Sequence, residues 1–389
     1  MQIIFYKCHS GDAKYEVVLF EQANRIGGVW NYPAGCEENL EKDPASPFYS
    51  RMYKNMRTNL PTDLMCLEGF PFPQGSRSYC DVQTVNNYLE GYAKHFHLSE
   101  HIKLSHRIVN IAPQIGDKEN TRVAAIGPRW TVTYEDLQQS SETSEIFDAV
   151  LICTGKYHSP YIPEISGLKH YRGPILHSSE YRDPEQFRTK TVLVIGGGPS
   201  ATDITTDMAT TAQQIIVAKR KIGSLFHNNQ LPNVLETTMP KTFNEKEVVL
   251  EDGFVPCLST RMAFPLLVAL VPITPLLDCQ VKYFKAILDG QVQLPSTDDM
   301  LLYNASDYHR RTSDPKGSPR QVAHGLPEEA AWAYLNELGK EAGFDPYDPV
   351  VPQLTKAAFE AIFSGNPAYK EHLLHRIDAN SFKHIKATA

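Results

Sequence analysis

A glycine-rich segment, Val192–Asp203, constrains the fold more than any other part of the sequence. Four apolar residues run directly into the pattern G-x-G-x-x-A, and the residues that follow favour a helix. Gly196 permits a tight turn, and Gly198 lets a pyrophosphate approach the backbone. Ala201 lets the helix pack close to the strand, so that its first amides face the phosphates. We predict a Rossmann-type turn that binds a dinucleotide through Gly196, Gly198, Ser200 and Ala201; a turn that binds nothing is the alternative.

The nucleotide is indicated by the residues after the next predicted strand, Ile215–Ala218. That strand is followed by Lys219, Arg220 and Lys221. A site for NAD carries a carboxylate here for the ribose 2′-hydroxyl, whereas cationic residues suit a 2′-phosphate. We therefore predict NADP, with Arg220 at the 2′-phosphate. The alternative is a solvated basic turn.

The composition excludes several classes of function. The 389 residues are enough for two domains, and the net charge of −7 argues against a nucleic-acid partner. Seven cysteines without CxxC spacing fit reduced thiols in a cytoplasmic protein and predict no metal site. The longest apolar run, Met262–Leu277, is broken by prolines and is too short to span a membrane. A homodimer is left open.

Strands alternate with helices along the chain, which predicts an α/β architecture. In the first half, strands are predicted at Tyr15–Phe20, Trp130–Tyr134 and Phe147–Cys153, and a helix at Val82–Phe96. The Tyr15–Phe20 run reads as a parallel strand. In the last third, the periodicity predicts helices over Glu328–Ala342, Gln353–Phe363 and Ala368–His375.

The residues after the first of these strands are typical of a second nucleotide site. Glu21 stands at the strand end, where a carboxylate can bind an adenosine ribose. It is followed by Arg25, Gly27, Gly28 and Trp30 in the order R-x-G-G-x-W. By itself a Gly-Gly pair indicates an ordinary loop. After a strand-end glutamate, this order resembles the flavin-containing monooxygenases, in which the glycines let the backbone approach FAD.

Three further segments carry the same resemblance. Thr58 and Asn59 are similar to a family segment whose asparagine lies beside the flavin ring. Thr154 and Gly155 follow an apolar strand and resemble the crossover that links the two nucleotide domains. The family fingerprint F-x-G-x(3)-H-x(3)-[FY]-[KR] is matched with tyrosine at its first position and His177 as its histidine. The resemblance implies that His177 lies near the nicotinamide cofactor.

The resemblance implies an α/β protein with two dinucleotide-binding, Rossmann-like domains, the NADP domain being inserted in the FAD domain. Residues 1–165 would form the first part of the FAD domain and residues 166–253 a shortened NADP domain. Residues 254–389 would return to the FAD domain and add C-terminal helices. The implied cofactors are FAD and NADP. The implied cofactor contacts are Glu21, Arg25, Gly27, Gly28, Trp30, Thr58, Asn59, Thr154, Gly155, His177, Gly196, Gly198, Ser200, Ala201 and Arg220.

Two departures from the family pattern predict an incomplete FAD domain. The family begins with strand, G-x-G-x-x-G and helix, whereas no such loop precedes Glu21 here. The family also carries an F-A-T-G-Y strand end after a D-G pair, and none follows Asp252 and Gly253. The sequence is then expected to be a truncated product or a diverged paralogue. Without a first strand, Tyr15–Phe20 is expected to expose an apolar edge, which lowers solubility.

The activity implied by the resemblance is that of an NADPH-dependent flavin monooxygenase. Such an enzyme uses NADPH and O₂ to N- or S-oxygenate soft nucleophiles such as amines and sulfides through a C4a-hydroperoxyflavin. Asn59 would act next to the flavin. One alternative is a Baeyer–Villiger monooxygenase, although its fingerprint carries Trp where this chain has Tyr181 and Arg182. The other is a catalytically inactive NADP-binding paralogue.

Overall fold

The computed structural model describes twelve stretches of the chain. They are residues 2–8, 15–32, 50–114, 129–155, 160, 162–219, 231–245, 248–250, 262–264, 273–312, 328–364 and 366–386. The chain divides into two compact units. The first comprises Met1–Arg57, Asp81–Pro163 and Leu176–Gln186, and the second comprises Thr58–Cys80, Glu164–Ile175 and Phe187–Ala389. The domain boundaries at residues 165 and 253 stay predictions.

Both units contain strands and helices. The strands are β1 (Gln2–Cys8), β2 (Tyr15–Glu21), β3 (Ile102–Lys103), β4 (His106–Pro113), β5 (Trp130–Asp136), β6 (Ser141–Phe147), β7 (Ala149–Cys153), β8 (Ile175–His177), β9 (Thr191–Ile195), β10 (Gln214–Lys219), β11 (Val234–Thr238), β12 (Pro240–Phe243), β13 (Val248–Leu250), β14 (Met262–Phe264), β15 (Leu373–Arg376) and β16 (Phe382–Ile385). The helices are α1 (Thr62–Met65), α2 (Val82–His95), α3 (Pro199–Met208), α4 (Ile273–Leu288), α5 (Thr297–Thr312), α6 (Glu328–Ala342) and α7 (Val350–Phe363).

The main sheet of the first unit has the order β3-β2-β1-β7. Strand β1 is antiparallel to both neighbours: Gln2 pairs with Glu21 of β2 and with Cys153 of β7. Strand β2 is parallel only to the short β3. The expectation of an exposed edge along β2 is therefore wrong, because β1 pairs with it from Tyr15 to Glu21. Low solubility is therefore no longer expected on the ground of an unpaired β2.

A second sheet of the first unit, β4-β5-β6, is entirely antiparallel. Its buried residues form one core cluster with β2, since Phe20 packs with Val132, Tyr134 and Phe147. The ring centroids of Phe20 and Tyr134 are 4.5 Å apart. The predicted strand at 147–153 is divided at Asp148 into the last residue of β6 and the whole of β7. The predicted helix α2 is confirmed, and Asp81 caps it by accepting from the Thr84 amide at 2.8 Å.

The second unit contains the predicted βαβ segment. Strand β10 is parallel to β9 and to β11, and β14 is parallel to β9 on the other side. Four residues of β9, from Val192 to Ile195, are at most 3% exposed. A continuous apolar run of this kind is expected for a parallel strand covered on both faces. Strand β14 lies beyond residue 253, so the sheet extends past the boundary predicted for the NADP domain.

The C-terminal part of the second unit is helical and ends in a hairpin. Helix α6 has the predicted bounds, and α7 begins three residues before the predicted Gln353. The predicted helix over Ala368–His375 is wrong. Asn366 caps a short 3₁₀ turn, Pro367–Glu371, by accepting from the Ala368 amide, and β15 then pairs with β16. In the part of the chain that the structure describes, no helix combines the length and apolarity needed to cross a membrane.

Candidate functional site

The predicted dinucleotide turn joins β9 to α3 in the second unit. Gly196 has a φ of 127°, a backbone conformation that residues other than glycine rarely adopt. Its amide donates to the Ala218 carbonyl at 2.8 Å. Gly198 is the N-cap of α3, with Pro199 in the first turn. Glycine offers no side chain to cap the amides of Ser200 and Ala201, and no other described side chain caps them, so these donors can face an anion. Ala201 is 1% exposed, as close packing of helix on strand requires.

A buried ion pair lies beneath this turn. Lys219, at the end of β10, is 4% exposed, and its Nζ donates to Glu236 Oε1 of β11 at 2.5 Å. A side chain on Gly197 would lie 3.2 Å from Lys219 Cγ. Lys219 is therefore neutralised inside the sheet. Arg220, which the sequence assigned to the 2′-phosphate, lies outside the described residues and stays a prediction.

In the first unit, two of the sequence-predicted segments meet at one edge of the main sheet. Gln2 is paired with both Glu21 and Cys153, so β2 and β7 end at the same edge. Glu21 is 1% exposed, and its Oε1 accepts from the Ala23 amide at 2.8 Å. Thr154 directly follows β7. Nucleotides bind α/β sheets at the carboxyl ends of parallel strands, and β2 and β7 share that end on either side of β1, which fits the predicted roles of both segments.

Both glycines of the pair after β2 have a positive φ, a backbone conformation that favours glycine. Gly27 has a φ of 117°, and a Cβ there would collide with Asn86 Oδ1 and lie 2.8 Å from Asn31 Oδ1. Both asparagines are more than 90% buried, and neither oxygen has a hydrogen-bond partner among the described residues. Gly28 has a φ of 54°, but a Cβ there would meet nothing within 4 Å. Gly28 is exposed, as is Arg25, while Trp30 is half-buried. Of these two glycines, Gly28 is the one that leaves open space for an approaching ligand.

We expect Gly27→Ala to destabilise the protein by about 1–3 kcal/mol more than Gly28→Ala, because it adds overpacking against two asparagines to the backbone strain that both variants share. Urea-unfolding midpoints of the two variants measure the difference. The matched Gly28→Ala variant controls for the left-handed backbone alone. Equal losses would show that the asparagines move aside without cost.

Strand β1 does not form the strand–turn–helix element that holds the FAD pyrophosphate in the flavin-containing monooxygenases. This phosphate cradle requires a strand parallel to β2, followed by a turn and a helix at the edge where Glu21 lies. Strand β1 runs in the opposite direction, so Cys8, its last residue, pairs with Tyr15 at the far edge. Only residues 9–14 separate β1 from β2, whereas a parallel crossover needs a dozen residues or more. The contact of Glu21 with the FAD ribose stays a prediction, and β1 does not provide the strand that the phosphate cradle requires.

Thr58 and Asn59 lie in the second unit, next to each other between β2 and α1 in sequence. The Thr58 amide donates to the Cys80 carbonyl at 2.9 Å. Thr58 is 1% exposed, and its Oγ1 lacks a hydrogen-bond partner in the described part of the chain. Asn59 is half-buried, and its Oδ1 accepts from the Tyr369 hydroxyl at 3.2 Å. Sequence reasoning missed Tyr369, because 310 positions separate the two residues.

The histidine of the fingerprint is buried and caps a turn. His177 Nδ1 accepts from the Ser179 amide at 3.1 Å, and Glu180 completes a capping box. Burial lowers the pKa of His177, and the nearby positive charge of Arg51 lowers it further, while Glu180 acts in the opposite direction. The ring is therefore neutral near neutral pH. Its predicted contact with a nicotinamide stays a prediction.

The last residue of the fingerprint holds two backbone segments together. Arg182 is 5% exposed, and its guanidinium donates to the carbonyls of Ser50 and Ser179, each at 2.7 Å, and of Tyr181 at 2.8 Å. Its own carbonyl accepts from the Lys54 amide at 2.9 Å. A planar fork of donors suits such a set of carbonyls. The cationic end of the fingerprint thus has a structural function.

Comparison with known proteins identifies the relatives of this chain. A family described as flavin-binding monooxygenase-like matches residues 4–240. The chain is 27% identical to the flavin-containing monooxygenase FMO GS-OX-like 2 of Arabidopsis thaliana, over 92% of this chain and 86% of that protein. It is 27% identical to senecionine N-oxygenase of Tyria jacobaeae, over 94% of this chain and 86% of that protein.

Solved structures share the fold. The S-allyl-L-cysteine S-oxygenase of Allium sativum has a TM-score of 0.75 at 23% identity and covers 91% of this chain and 89% of its own. The protein Tmm of Pelagibacter has a TM-score of 0.70 at 18% identity, over 90% and 85% of the two chains. The predicted two-domain α/β class is confirmed. Because the family match spans more than half of the sequence, the chain belongs to the flavin-binding monooxygenase-like family of oxidoreductases.

Proposed function

We propose that this protein is an NADPH-dependent flavin monooxygenase that transfers oxygen from O₂ to the nitrogen or sulfur of a small, soft nucleophile. The observation that carries the proposal is the uncapped helix N-terminus after Gly196 and Gly198, in a chain of this family. FAD and NADP are the cofactors of flavin-containing monooxygenases. Relatives are named as an N-oxygenase and an S-oxygenase, which supports amines and sulfides as the substrate class.

The protein's part in this chemistry is to bind and orient. When bound, the nicotinamide supplies a hydride and the flavin activates O₂, so no nucleophile–base pair is required of the chain. The amides at the start of α3 would hold the NADP pyrophosphate. The Glu21 carboxylate, buried at the edge of the first sheet, would accept from a ribose hydroxyl. Asn59, with its Oδ1 engaged by Tyr369, would offer its NH₂ group to the flavin side.

The direct test supplies the purified protein with FAD, NADPH and ¹⁸O₂ together with a tertiary amine or a thioether. We expect NADPH consumption that depends on FAD and a product one ¹⁸O heavier, identified by mass spectrometry. A ketone added instead tests the Baeyer–Villiger alternative, whose product would be an ester. A labelled ester without labelled N- or S-oxide would overturn the proposed substrate class.

We expect Arg220→Ala to weaken NADPH binding by about 1.5–3 kcal/mol, the range for hydrogen bonds to charged groups, and to leave NADH binding nearly unchanged. The reason is that only NADPH carries the 2′-phosphate. Lys219 provides no substitute, since Glu236 already neutralises it. Isothermal titration with both nucleotides measures the effect. Equal losses for the two would identify the basic turn as solvated surface.

An inactive NADP-binding paralogue is the second candidate, and the direction of β1 favours it. Such a protein would bind NADPH through the same turn and lack flavin. A visible absorption spectrum after FAD addition and gel filtration separates the two candidates. Retained flavin with oxygenation supports the enzyme, whereas NADPH binding without retained flavin supports the paralogue.

A further inference from the structure

A five-residue turn near the C-terminus, Pro367–Glu371, contacts two of the sites predicted from the sequence. Its Tyr369 hydroxyl donates to Asn59 Oδ1 at 3.2 Å. The next residue, Lys370, forms an ion pair with Asp203 of α3. Both contacts lie within the second unit. One short turn therefore joins the predicted flavin-side amide to the helix that begins at the dinucleotide turn.

The Tyr369 side of this turn is firmly packed. Tyr369 is 9% exposed, and its ring lies edge-on to Tyr79 with centroids 5.6 Å apart. Both rings belong to a core cluster with Leu354 and Leu374. The hydroxyl therefore has a fixed position. Because it donates to Oδ1 of Asn59, the NH₂ end of that amide points away from Tyr369.

The Lys370 side is an ion pair shielded from solvent. The side chains of Lys370 and Asp203 are only 11% and 17% exposed. An ion pair in such surroundings is screened less by water and salt than a surface pair. Asp203 is the fifth residue of α3, close to the end whose amides face the nucleotide. Movement of α3 would therefore be transmitted to Lys370.

We infer that Pro367–Glu371 is a positioning segment for the active site: Tyr369 orients the Asn59 amide, and Lys370 ties that orientation to the nucleotide-binding helix. The inference rests on the proposed function for the placement of Asn59 beside a flavin. The two contacts themselves do not depend on a bound flavin. When NADP⁺ binds at the start of α3, we accordingly expect the environment of the Asn59 side-chain amide to change.

The test observes Asn59 directly. Protein labelled with ¹⁵N only at asparagine gives side-chain amide signals, and the Asn59→Ala spectrum identifies the signal of Asn59. We expect that signal to shift when NADP⁺ is added. In Tyr369→Phe, which keeps the ring and removes the hydroxyl, the signal should be displaced without nucleotide and no longer respond to it. NADP⁺ affinity should be unchanged.

Two further variants sharpen the result. Tyr283→Phe is the matched control, because the Tyr283 hydroxyl donates to Glu341 Oε2 at 2.6 Å elsewhere in the same unit; it should leave the Asn59 signal and its response as in the parent. Lys370→Met should leave the resting signal near its parent position, since Tyr369 remains, and remove the response to NADP⁺. An Asn59 signal that responds identically in the parent, Tyr369→Phe and Lys370→Met would overturn the inference.

The outcome is separable from the proposed function. The spectra need NADP⁺ but no flavin, so a chain that retains no FAD can still show the response and uphold the positioning segment. In flavin-loaded protein, Tyr369→Phe should lower kcat and divert NADPH oxidation from oxygenated product to hydrogen peroxide, with the KM for NADPH unchanged. Undiminished product yield in that variant would count against the inference while leaving the monooxygenase activity established.

Discussion

Replacing Gly198 by valine is expected to abolish measurable NADPH binding while the protein remains folded. The expectation follows from the position of Gly198 as the N-cap of α3, directly before the amides that would hold the pyrophosphate. A branched side chain there would occupy the space through which the phosphates approach the backbone. The fold should survive because Gly198 has φ −88° and ψ 178°, values that valine adopts readily.

Titration calorimetry with NADPH and thermal unfolding of the same samples separate the two effects. Gly28→Val is a useful comparison, since Gly28 has a φ of 54° and a Cβ there would meet nothing within 4 Å. That variant should lose stability through backbone strain yet keep NADPH binding, because Gly28 lies in the first unit and Gly198 in the second. If Gly198→Val binds NADPH as the parent does, the assignment of the phosphate turn is incorrect.

A second large effect is expected for flavin. The 389-residue chain should retain FAD well below one equivalent, and replacing residues 1–14 by a strand–GxGxxG–helix should restore stoichiometric binding. The reason is geometric and electrostatic: a pyrophosphate is held mainly by amides at a helix N-terminus, whose dipole favours the negative charge. In this sheet β1 runs away from the edge where Glu21 lies, so no such amides follow from it.

Flavin absorbance per protein after gel filtration measures the effect, and oxygenation of an amine or sulfide provides the second readout. The matched control carries the same replacement with its three glycines changed to valine, which preserves length and removes the close approach. A fully yellow, active enzyme obtained from residues 1–389 alone would contradict the argument. Some other segment would then hold the phosphates.

Much of the fold could be predicted from local sequence. Apolar periodicity and capping residues predict three elements: the strand before Gly196, the helix after Gly198 and the helix that begins at Val82. The structure contains all three. Glu21 was predicted as a ribose contact from its place at a strand end; the structure confirms that place, and the contact stays a prediction. The helix predicted at Ala368 is wrong, because the Asn366 cap begins only a single 3₁₀ turn before β15 pairs with β16.

What could not be predicted depends on partners distant in sequence. The direction of β1 is decided by pairing with β2 on one side and β7 on the other, and no periodicity encodes a direction. The contact of Asn59 with Tyr369 links positions 310 residues apart. The sequence identified Arg182 only as the last position of the family fingerprint and did not predict its hydrogen bonds to backbone carbonyls. Its role depends on carbonyls such as that of Ser50, 132 residues earlier.

The reversed direction of β1 also has a consequence for the order of events during folding. Cys8 and Tyr15 are paired across a connection of six residues, so β1 and β2 form a local hairpin. Hairpins of this kind close in about 1–10 μs, long before strands from remote parts of a chain find each other. We therefore expect strand β7 to dock onto a ribbon that has already formed. A redesigned N-terminus with a parallel first strand would replace this rapid local step by a slower non-local one, and its refolding rate should fall accordingly.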